Sequence, residues 1–192
     1  MRTEMYRTHG ELGRSEDGHF RYSRGWFERF IERVFCGRLG LAPALLPGVV
    51  EGLFARFSDP RTFRLLPGAD ELVASLRGRG LRVGVVSNWS EALPGLLEGL
   101  GLGARLDFVV VSALEGCEKP EVEIFQRALA RAGVPAAEAL HAGDDPVKDV
   151  QGARAAGILP VLVGPASPPP EASCARVDDL FALERLIVEA LP

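Results

Sequence analysis

The sequence predicts an α/β fold in which a parallel sheet is covered by helices on both faces and is preceded by a smaller helical unit. From about residue 67 onward, short apolar runs alternate with amphipathic segments, which is the pattern of a doubly wound parallel sheet. Before that point, apolar residues recur at three- and four-residue steps over 23–39 and 47–57, which predicts two helices. The second helix is broken by Ser58-Asp59-Pro60, so the boundary between the two units falls near residue 62.

Four segments of the second unit are predicted to be buried strands, because each is short, apolar and rich in branched side chains. Several of the helices between them end at a glycine. The last strand contains Pro160, which cannot donate a hydrogen bond to a neighbouring strand and therefore favours an edge position. We predict strands at 81–87, 107–112, 139–143 and 158–163, helices at 70–79, 91–100, 122–132, 147–156 and 177–191, and loops at 1–22 and 164–173.

The composition argues against several classes of partner and location. The 192 residues form one large domain, or one domain with a small insert. The formal net charge is −4, so a basic footprint for nucleic acid or anionic lipid is missing. No apolar run reaches the roughly 18 residues that span a bilayer, and the polar stretch from Met1 to Ser15 is not typical of a secretory signal. Cys36, Cys117 and Cys174 indicate neither a disulfide framework nor a zinc site, which favours a reducing cytoplasm.

Polar residues follow three of the predicted strands at the point where each strand ends. Ser87 and Asn88 stand at the tip of the first strand, Lys119 lies in the loop after the second, and Asp144 follows the third. Ligands of a parallel sheet bind outside the carboxyl ends of its strands, so these side chains are expected to lie together. A hydroxyl, free backbone N–H groups and an ammonium there would suit a phosphate. The ordinary alternatives are that Ser87 is a helix cap or a turn residue and that Lys119 is a solvated surface lysine.

Carboxylates cluster after the third strand. Asp144 and Asp145 stand at its tip, and Asp149 follows in the first helical turn. Clustered carboxylates beside a phosphate site are the ligands that Mg²⁺ prefers, so the cluster is a candidate metal site. The alternative is local: Asp145 before Pro146 suits a helix N-cap, and the helix dipole favours Asp149 near the helix start. His141, inside the strand, is expected to be a core or second-layer residue rather than a catalyst.

In this order, the residues resemble three sequence motifs of the haloacid dehalogenase-like (HAD-like) hydrolases. The motifs are an apolar strand that ends in Ser87-Asn88, then Lys119-Pro120, then Gly143-Asp144-Asp145 with Asp149 four residues further on. Each motif is weak alone, and the three in order at suitable strand ends make a specific pattern. The resemblance is close over about residues 60–165.

The resemblance implies a fold, a reaction and a set of roles. Residues 63–192 would form the parallel, Rossmann-like core of the HAD type, and residues 1–62 a partial helical cap with an unstructured N-terminal segment. In the family, a nucleophilic Asp forms an aspartyl-phosphate, a second Asp protonates the leaving group, and Mg²⁺ bridges the nucleophile and the phosphate. By resemblance, a small phosphorylated metabolite would be bound by Ser87, Asn88 and Lys119. Lys119 would also act in catalysis, because its charge neutralises that of the phosphoryl group. Asp144 would ligate Mg²⁺, and Asp149 would be a second ligand or would orient the site.

The family's first motif, an apolar strand that ends in Asp-x-Asp and carries the nucleophile, is missing from this sequence. Before residue 60 the only aspartates are Asp17, which follows a polar stretch, and Asp59, which lies in a turn. In the family this strand lies between the strands that carry Ser87 and Asp144, so the core is expected to lack its first strand. Three explanations stay open: a truncated or mis-started phosphatase that is inactive as given, a short protein that binds phosphate without hydrolysis, or a chain that gains the strand from another chain.

The missing strand also predicts self-association. The strands at 81–87 and 139–143 would flank the gap, and unpaired strand edges are templates for pairing with another chain.

A phospho-receiver domain is another α/β class with clustered acids. It needs its lysine after the acids, whereas Lys119 precedes them, so the order of residues argues against that class.

Overall fold

The computed structural model describes residues 8–9, 12, 15–16, 19–166 and 174–191. They form a helical unit, made of α1 (Arg24–Glu32) and α2 (Leu46–Phe57), and an α/β unit. The described strands are β1 (Ser15–Glu16), β2 (His19–Phe20), β3 (Gly84–Ser87), β4 (Phe108–Val111), β5 (Leu140–Gly143), β6 (Leu159–Val163) and β7 (Ala175–Val177). The other α-helices are α3 (Ala69–Gly78), α4 (Leu93–Gly99), α5 (Ser112–Glu115), α6 (Val122–Ala132), α7 (Gly152–Ala155) and α8 (Leu180–Ala190).

Both predicted helices of the N-terminal unit are present. Helix α1 begins after Ser23, whose hydroxyl accepts a hydrogen bond from the Trp26 N–H and so satisfies one of the open donors of the first turn. It continues as a π-helical segment, Arg33–Arg38. The apolar face of α1 packs against α2 in one cluster, whose buried members are Leu12, Trp26, Phe30, Ile31, Val34 and Val50.

Helices cover both faces of the sheet that β3 and β4 form. On one face, Val85 packs against a cluster that contains Val73 of α3 and Leu97 of α4. On the other face, Val86 packs against a cluster that contains Phe125 of α6. The predicted α/β architecture, with parallel strands and helices on both faces, is therefore confirmed.

The parallel strands lie in two separate sheets. β3 pairs with β4, while β5 pairs with β6 and β6 with β7, and all of these pairs are parallel. We expected the strands to form one sheet, and for the described residues this expectation is wrong, because no hydrogen bonds join β3 to β5. These are the two strands that the strand predicted to be missing would separate.

In a continuous parallel sheet, the central strands are buried on both faces. Here the strands beside the division, β3 and β5, are more exposed than β4 and β6, which lie further from it. Val110 and Val111 of β4, and Val161 and Leu162 of β6, are almost completely buried. By contrast, β3 is only half-buried along its length, and Leu140 of β5 is 36% exposed. The strands beside the division are therefore the ones that keep accessible surface.

The last sheet differs from the sequence predictions in two ways. The edge position predicted for the strand with Pro160 is wrong, because β6 lies between β5 and β7. Proline is tolerated there since β7 pairs only with Val161–Val163, which leaves Pro160 outside the shared stretch. The closing helix was predicted from residue 177, but Ala175–Val177 forms β7, and α8 begins after the Asp179 cap.

The two predicted loops are described only in part. Most of the first 18 residues, and residues 167–173, lie outside the described ranges, as does much of the predicted unstructured N-terminal segment. Within the described part of that segment, β1 and β2 form a short antiparallel pair that the sequence analysis did not predict. No helix in the described ranges has the length and apolar character that crossing a bilayer requires.

Candidate active site

The residues predicted to bind phosphate lie at the carboxyl ends of the strands. Ser87 is the last residue of β3, and Asn88 follows it. Lys119 lies in the loop between α5 and α6, and Asp144 follows β5. Hydrogen bonds from Asn88 to Lys119, and from Lys119 to Asp149, connect the end of β3 with the end of β5. The two sheets therefore contribute to one site.

Ser87 offers its hydroxyl to a ligand. The side chain is half-buried, and within the described part of the chain its hydroxyl forms no hydrogen bond. The helix that follows, α4, begins after Ala92, so the alternative in which Ser87 caps that helix is not realised. An open hydroxyl donor at a strand end remains available to a phosphoryl oxygen.

Asn88 holds the backbone of Lys119. Its Nδ2 donates to the Lys119 carbonyl oxygen at 2.9 Å, and its Oδ1 accepts from the Lys119 N–H at 2.8 Å. These two bonds fix the loop residue to the end of β3, so Asn88 positions Lys119. The Asn88 side chain also forms a hydrogen bond with the Tyr22 phenol, so protein partners hold both ends of the amide.

The Lys119 ammonium is paired with a buried carboxylate. Its Nζ lies 2.6 Å from Oδ1 of Asp149, which also accepts from Nε2 of His141 at 2.8 Å. The other oxygen, Oδ2, accepts from the Asp145 N–H at 3.0 Å. The His141 ring stands edge-on to Phe125, so it occupies the second layer that the sequence predicted for it.

The pKa of the Asp149 carboxyl lies well below its usual range. Burial by itself would raise this pKa, because it disfavours the charged form. The hydrogen bond from His141, with the charge and hydrogen bond of Lys119, outweighs burial and lowers it. Asp149 is therefore a stable negative charge that faces the Lys119 ammonium.

Lys119 differs clearly from the chain's other lysine. The sequence has two lysines, Lys119 and Lys148, and their side chains are 12% and 45% exposed. An ammonium that is largely removed from water needs a partner, which Asp149 supplies. The alternative in which Lys119 is a solvated surface lysine is therefore excluded.

The described residues do not by themselves assemble a Mg²⁺ site. Among them, no three His, Cys, Asp or Glu side chains are grouped so that they could hold a metal ion. Both oxygens of Asp149 accept hydrogen bonds from protein donors, whereas Asp144 is exposed. Mg²⁺ demands an octahedral set of oxygen ligands, and Asp144 alone leaves most of that set to water. Of the two predicted metal ligands, only Asp144 presents an open carboxylate.

Two neighbours of Asp149 explain why it is held so closely. Asp145 is the predicted N-cap, because its Oδ1 accepts from the N–H groups of Val147 and Lys148. Gly143 lies directly against Asp149, and a methyl group at this position would overlap the Asp149 carboxyl. The local sequence thus turns the chain so that Asp149 points back toward Lys119.

An ion pair beside Lys119 was not predicted. Nη1 of Arg21 lies 2.9 Å from Oε1 of Glu118, whose residue is only 7% exposed. The two residues are 97 positions apart in the sequence, so no local sequence pattern predicts their contact. The sequence signal available was indirect: a glutamate next to a candidate catalytic lysine needs a cation if it is buried.

Comparisons with known proteins identify the family of the chain. A sequence model of the haloacid dehalogenase-like hydrolases matches residues 9–157. A mouse protein called haloacid dehalogenase-like hydrolase domain-containing protein 3 is 40% identical over 149 residues, which are 76% of this chain and 58% of that protein. The phosphoserine phosphatase of Thermus thermophilus is 38% identical over 173 residues, which are 86% of this chain and 68% of that protein.

A solved structure shows the same fold. The HAD phosphatase from Thermococcus onnurineus superposes with a TM-score of 0.72 at 22% identity, over 97% of this chain and 79% of that one. The chain spans a little under three fifths of the length of the mouse protein. The family match covers the helical unit and the strand-end motifs together, and the chain belongs to the haloacid dehalogenase-like hydrolases.

Proposed function

We propose that this chain carries the phosphate-binding and charge-neutralising part of a HAD-type phosphomonoester phosphatase. The observation that carries the proposal is the position of the largely buried Lys119 at the strand ends, where Ser87 offers a hydroxyl. Asn88 holds the Lys119 backbone, and Asp149 holds its ammonium. A positive charge that is already fixed in place, together with an open donor, suits a phosphate dianion. The partner that we propose is a small phosphorylated metabolite.

The Thermus relative supports the class of substrate. It is a phosphoserine phosphatase, and this chain aligns with 68% of its length. The alcohol part of the substrate is not carried over from that relative. We propose only that the substrate is a phosphate ester, because Ser87 and Lys119 are suited to a phosphoryl group and do not select a particular alcohol.

Each residue has a defined part in this proposal. Ser87 donates a hydrogen bond to a phosphoryl oxygen, Lys119 neutralises the phosphoryl charge, and Asp149 keeps Lys119 in position. In the phosphatase reaction, a carboxylate oxygen attacks phosphorus, the ester P–O bond breaks and the alcohol leaves with a proton. Water then hydrolyses the acyl phosphate to orthophosphate and the free carboxylate. Asp149 is unsuited to the attack because protein donors hold both of its oxygens.

We infer that the chain by itself binds phosphate without turning over an ester, because the sequence contains no Asp-x-Asp pair to supply the attacking carboxylate. Assays with p-nitrophenyl phosphate and Mg²⁺ are expected to show no hydrolysis above background. Steady Mg²⁺-dependent hydrolysis that Asp144→Asn abolishes would overturn this inference, since it would place the nucleophile on this chain. Calorimetric titration with Mg²⁺ is expected to show only weak binding, because Asp144 is the one open carboxylate of the predicted ligand pair.

The binding proposal is tested with the two lysines of the chain as a matched pair. Lys119→Met is expected to weaken orthophosphate binding about ten- to a hundredfold, the usual effect of losing a hydrogen bond to a charged group. Lys148→Met removes the same charge from an exposed position and is expected to change the affinity by less than about twofold. Calorimetric titration measures both, with circular dichroism to check folding. Equal losses in the two variants would show that only the overall charge matters.

A second candidate function is phosphate binding as an end in itself, on a HAD-like scaffold without catalysis. The absence of an Asp-x-Asp pair from the sequence favours it. The two candidate functions predict different affinities for orthophosphate. A dedicated phosphate-binding protein needs a Kd near the concentration of its ligand, whereas an active site that lacks its nucleophile has no such requirement. Micromolar orthophosphate binding by the chain alone would favour the second candidate.

We also propose a reducing cytoplasm as the location of the chain. Its three cysteines, Cys36, Cys117 and Cys174, are all free thiols. Burial raises the pKa of the Cys117 thiol and keeps it in the unreactive neutral form. A disulfide between any two of these residues, found by mass spectrometry of the protein from its native cells, would contradict this location.

A further inference from the structure

Two consecutive residues just before the cap of α1, Arg21 and Tyr22, reach the loop that carries Lys119. Nη1 of Arg21 lies 2.9 Å from Oε1 of Glu118, the residue that precedes Lys119. The Tyr22 phenol forms a hydrogen bond with the side chain of Asn88, whose amide holds the backbone of Lys119. The segment that leads into α1 therefore contacts two immediate neighbours of this lysine.

The ion pair between Arg21 and Glu118 is largely shielded from water. The two side chains are 22% and 9% exposed, and Nη2 of Arg21 also donates to the Leu12 carbonyl oxygen at 3.4 Å. Desolvation offsets much of the attraction within such a pair, so its main effect is to fix which groups meet. Here it fixes the residue next to Lys119 against the segment that leads into α1.

Tyr22 keeps its position in spite of backbone strain. Its φ of 69° is the one positive value at a non-glycine position within the residues that the structure describes. A side chain in this left-handed region meets a steric penalty that glycine would avoid. Both neighbours are fixed, because the ion pair holds Arg21 and the N-cap bond holds Ser23. The Tyr22 ring packs against Trp26 and His9, at centroid distances of 6.0 Å and 5.8 Å. Strain that the surroundings impose in this way is typical of functional sites.

We propose that Arg21 and Tyr22 are positioning residues of the phosphate site, which hold Lys119 through Glu118 and Asn88 without contacting the ligand. A binding site works only when the partners of its donors hold them within about 0.5 Å of the required geometry. Because the two residues are consecutive, both contacts depend on one short segment of backbone. Their effect on phosphate rests on the proposed function, whereas their effect on the Lys119 loop does not.

Tyr22→Phe is the sharpest test of the contact with Asn88, because it keeps the ring and removes only the phenol oxygen. The Lys119 N–H donates to Oδ1 of Asn88, so its hydrogen exchange reports on this contact without any ligand. Exchange at Lys119 is expected to become about three- to tenfold faster in Tyr22→Phe, the usual effect of losing one hydrogen bond. Exchange at Val110 and Val111, which are buried in β4, is expected to stay unchanged.

Two results of the exchange measurement would overturn the proposal. Unchanged exchange at Lys119 would show that the phenol does not hold Asn88 in place. Equal acceleration at Lys119 and in β4 would show that Tyr22→Phe lowers the stability of the whole chain, which is a structural effect and not a positioning effect.

Arg21 is tested with Arg29 as a matched control. Each pairs with a glutamate, but the side chains of Arg29 and Glu32 are each 47% exposed. Arg21→Met is expected to weaken orthophosphate binding about three- to tenfold, because the residue before Lys119 loses its anchor. Arg29→Met is expected to change the affinity by less than about twofold. Circular dichroism checks folding, and Tyr22→Phe remains as the test if Arg21→Met does not fold. Equal losses in the two arginine variants would contradict the role of Arg21.

A double-mutant cycle shows whether Tyr22 acts through Asn88. Calorimetric titration with orthophosphate is expected to show about three- to tenfold weaker binding in Tyr22→Phe, and no further loss when the same change is made in Asn88→Ala. An equal loss in both backgrounds would overturn the proposal, because Tyr22 would then act on the ligand directly.

The same measurements separate this inference from the proposed function. Faster exchange at Lys119 in Tyr22→Phe, with no orthophosphate binding by the wild type, supports the positioning role and counts against the proposed phosphate site. Orthophosphate binding that Lys119→Met weakens, and that Tyr22→Phe and Arg21→Met leave unchanged, counts against the positioning role alone.

Discussion

The Asp149 carboxylate joins residues that lie far apart in the sequence. It accepts hydrogen bonds from Lys119, which lies 30 positions earlier, from His141 and from the Asp145 N–H. The residue is only 3% exposed, so its charge is stabilised by these donors and not by water. Asp149 therefore acts as a positioning residue for Lys119.

Replacing Asp149 by asparagine is expected to lower the free energy of unfolding by roughly 3–5 kcal/mol, because the largely buried Lys119 ammonium loses its counter-charge. Asp144→Asn is the matched control, since this exposed carboxylate is expected to contribute less than about 0.5 kcal/mol. Urea unfolding at neutral pH measures both variants. Equal effects would show that the site tolerates an unpaired ammonium.

The difference in unfolding free energy between the wild type and Asp149→Asn is expected to depend on pH, because the pKa of the Asp149 carboxyl is lowered. Burial alone would raise this pKa, but the effects of His141 and Lys119 outweigh burial. A carboxyl whose pKa is lower in the folded chain than in the unfolded chain stabilises the fold above the unfolded pKa, about 4, and loses this contribution as the pH falls toward the folded pKa. The gap between the wild type and Asp149→Asn is therefore expected to be full above about pH 5 and to shrink below about pH 4. A gap that stays constant into acid would contradict the assignment.

Gly143 is expected to be essential for the position of Asp149. Gly143→Ala places a methyl group where the Asp149 carboxyl lies, so we expect a loss of about 1–3 kcal/mol and weaker phosphate binding. Gly95→Ala is the control, because Gly95 lies in α4 with open space around it and alanine favours a helix by about 0.5–1 kcal/mol. Thermal unfolding and phosphate titration measure both. An unaffected Gly143→Ala variant would mean that Asp149 moves freely.

At the scale of elements, two aspartates begin helical segments of the core in the same way. Asp145 accepts from Val147 and Lys148 at the start of the segment that carries Asp149, and Asp179 accepts from Ala182 at the start of α8. Each acceptor satisfies backbone donors that the first turn leaves open.

Replacing either cap by alanine is expected to cost about 0.5–2 kcal/mol of stability. Only Asp145→Ala is also expected to weaken phosphate binding, because this cap orients the turn from which Asp149 reaches Lys119. Chemical denaturation and titration with orthophosphate measure the two effects separately. If Asp145→Ala and Asp179→Ala bind phosphate equally well, the Asp145 cap has only a structural role.

For the whole molecule, the divided sheet predicts self-association. Within the described ranges, no strand pairs with the edge of β3 that faces away from β4 or with the edge of β5 that faces away from β6, and such edges pair readily with another chain. Leaving backbone groups buried without partners costs roughly 1–3 kcal/mol each, which is a large share of the about 5–15 kcal/mol that stabilises a domain. Sedimentation at micromolar concentration is expected to show oligomers. A monodisperse monomer that melts cooperatively at an ordinary temperature would mean that the exposed edges cost little.

The order of the elements and the place of the candidate site could be predicted from the sequence. Apolar periodicity identified both helices of the N-terminal unit and the core strands β3 to β6, because it reports which face of each segment is buried. The short elements β1, β2 and β7 were missed, since two or three residues are too few to show a period. The edge position of Pro160 was also wrong, because a proline excludes a pairing only where the neighbouring strand actually extends.

The sequence by itself determined that this is a parallel α/β protein of the HAD-like type, with Ser87, Lys119 and Asp144 at strand ends and without an Asp-x-Asp strand. Those features are local, so a single strand or turn contains the information. Only the tertiary structure decided that Asn88 clamps the backbone of Lys119, that Asp149 serves as its counter-charge, and that the sheet divides between β3 and β5. These features depend on which groups meet across 30 or more positions, and the free energy that selects them comes from burial and pairing in the folded chain.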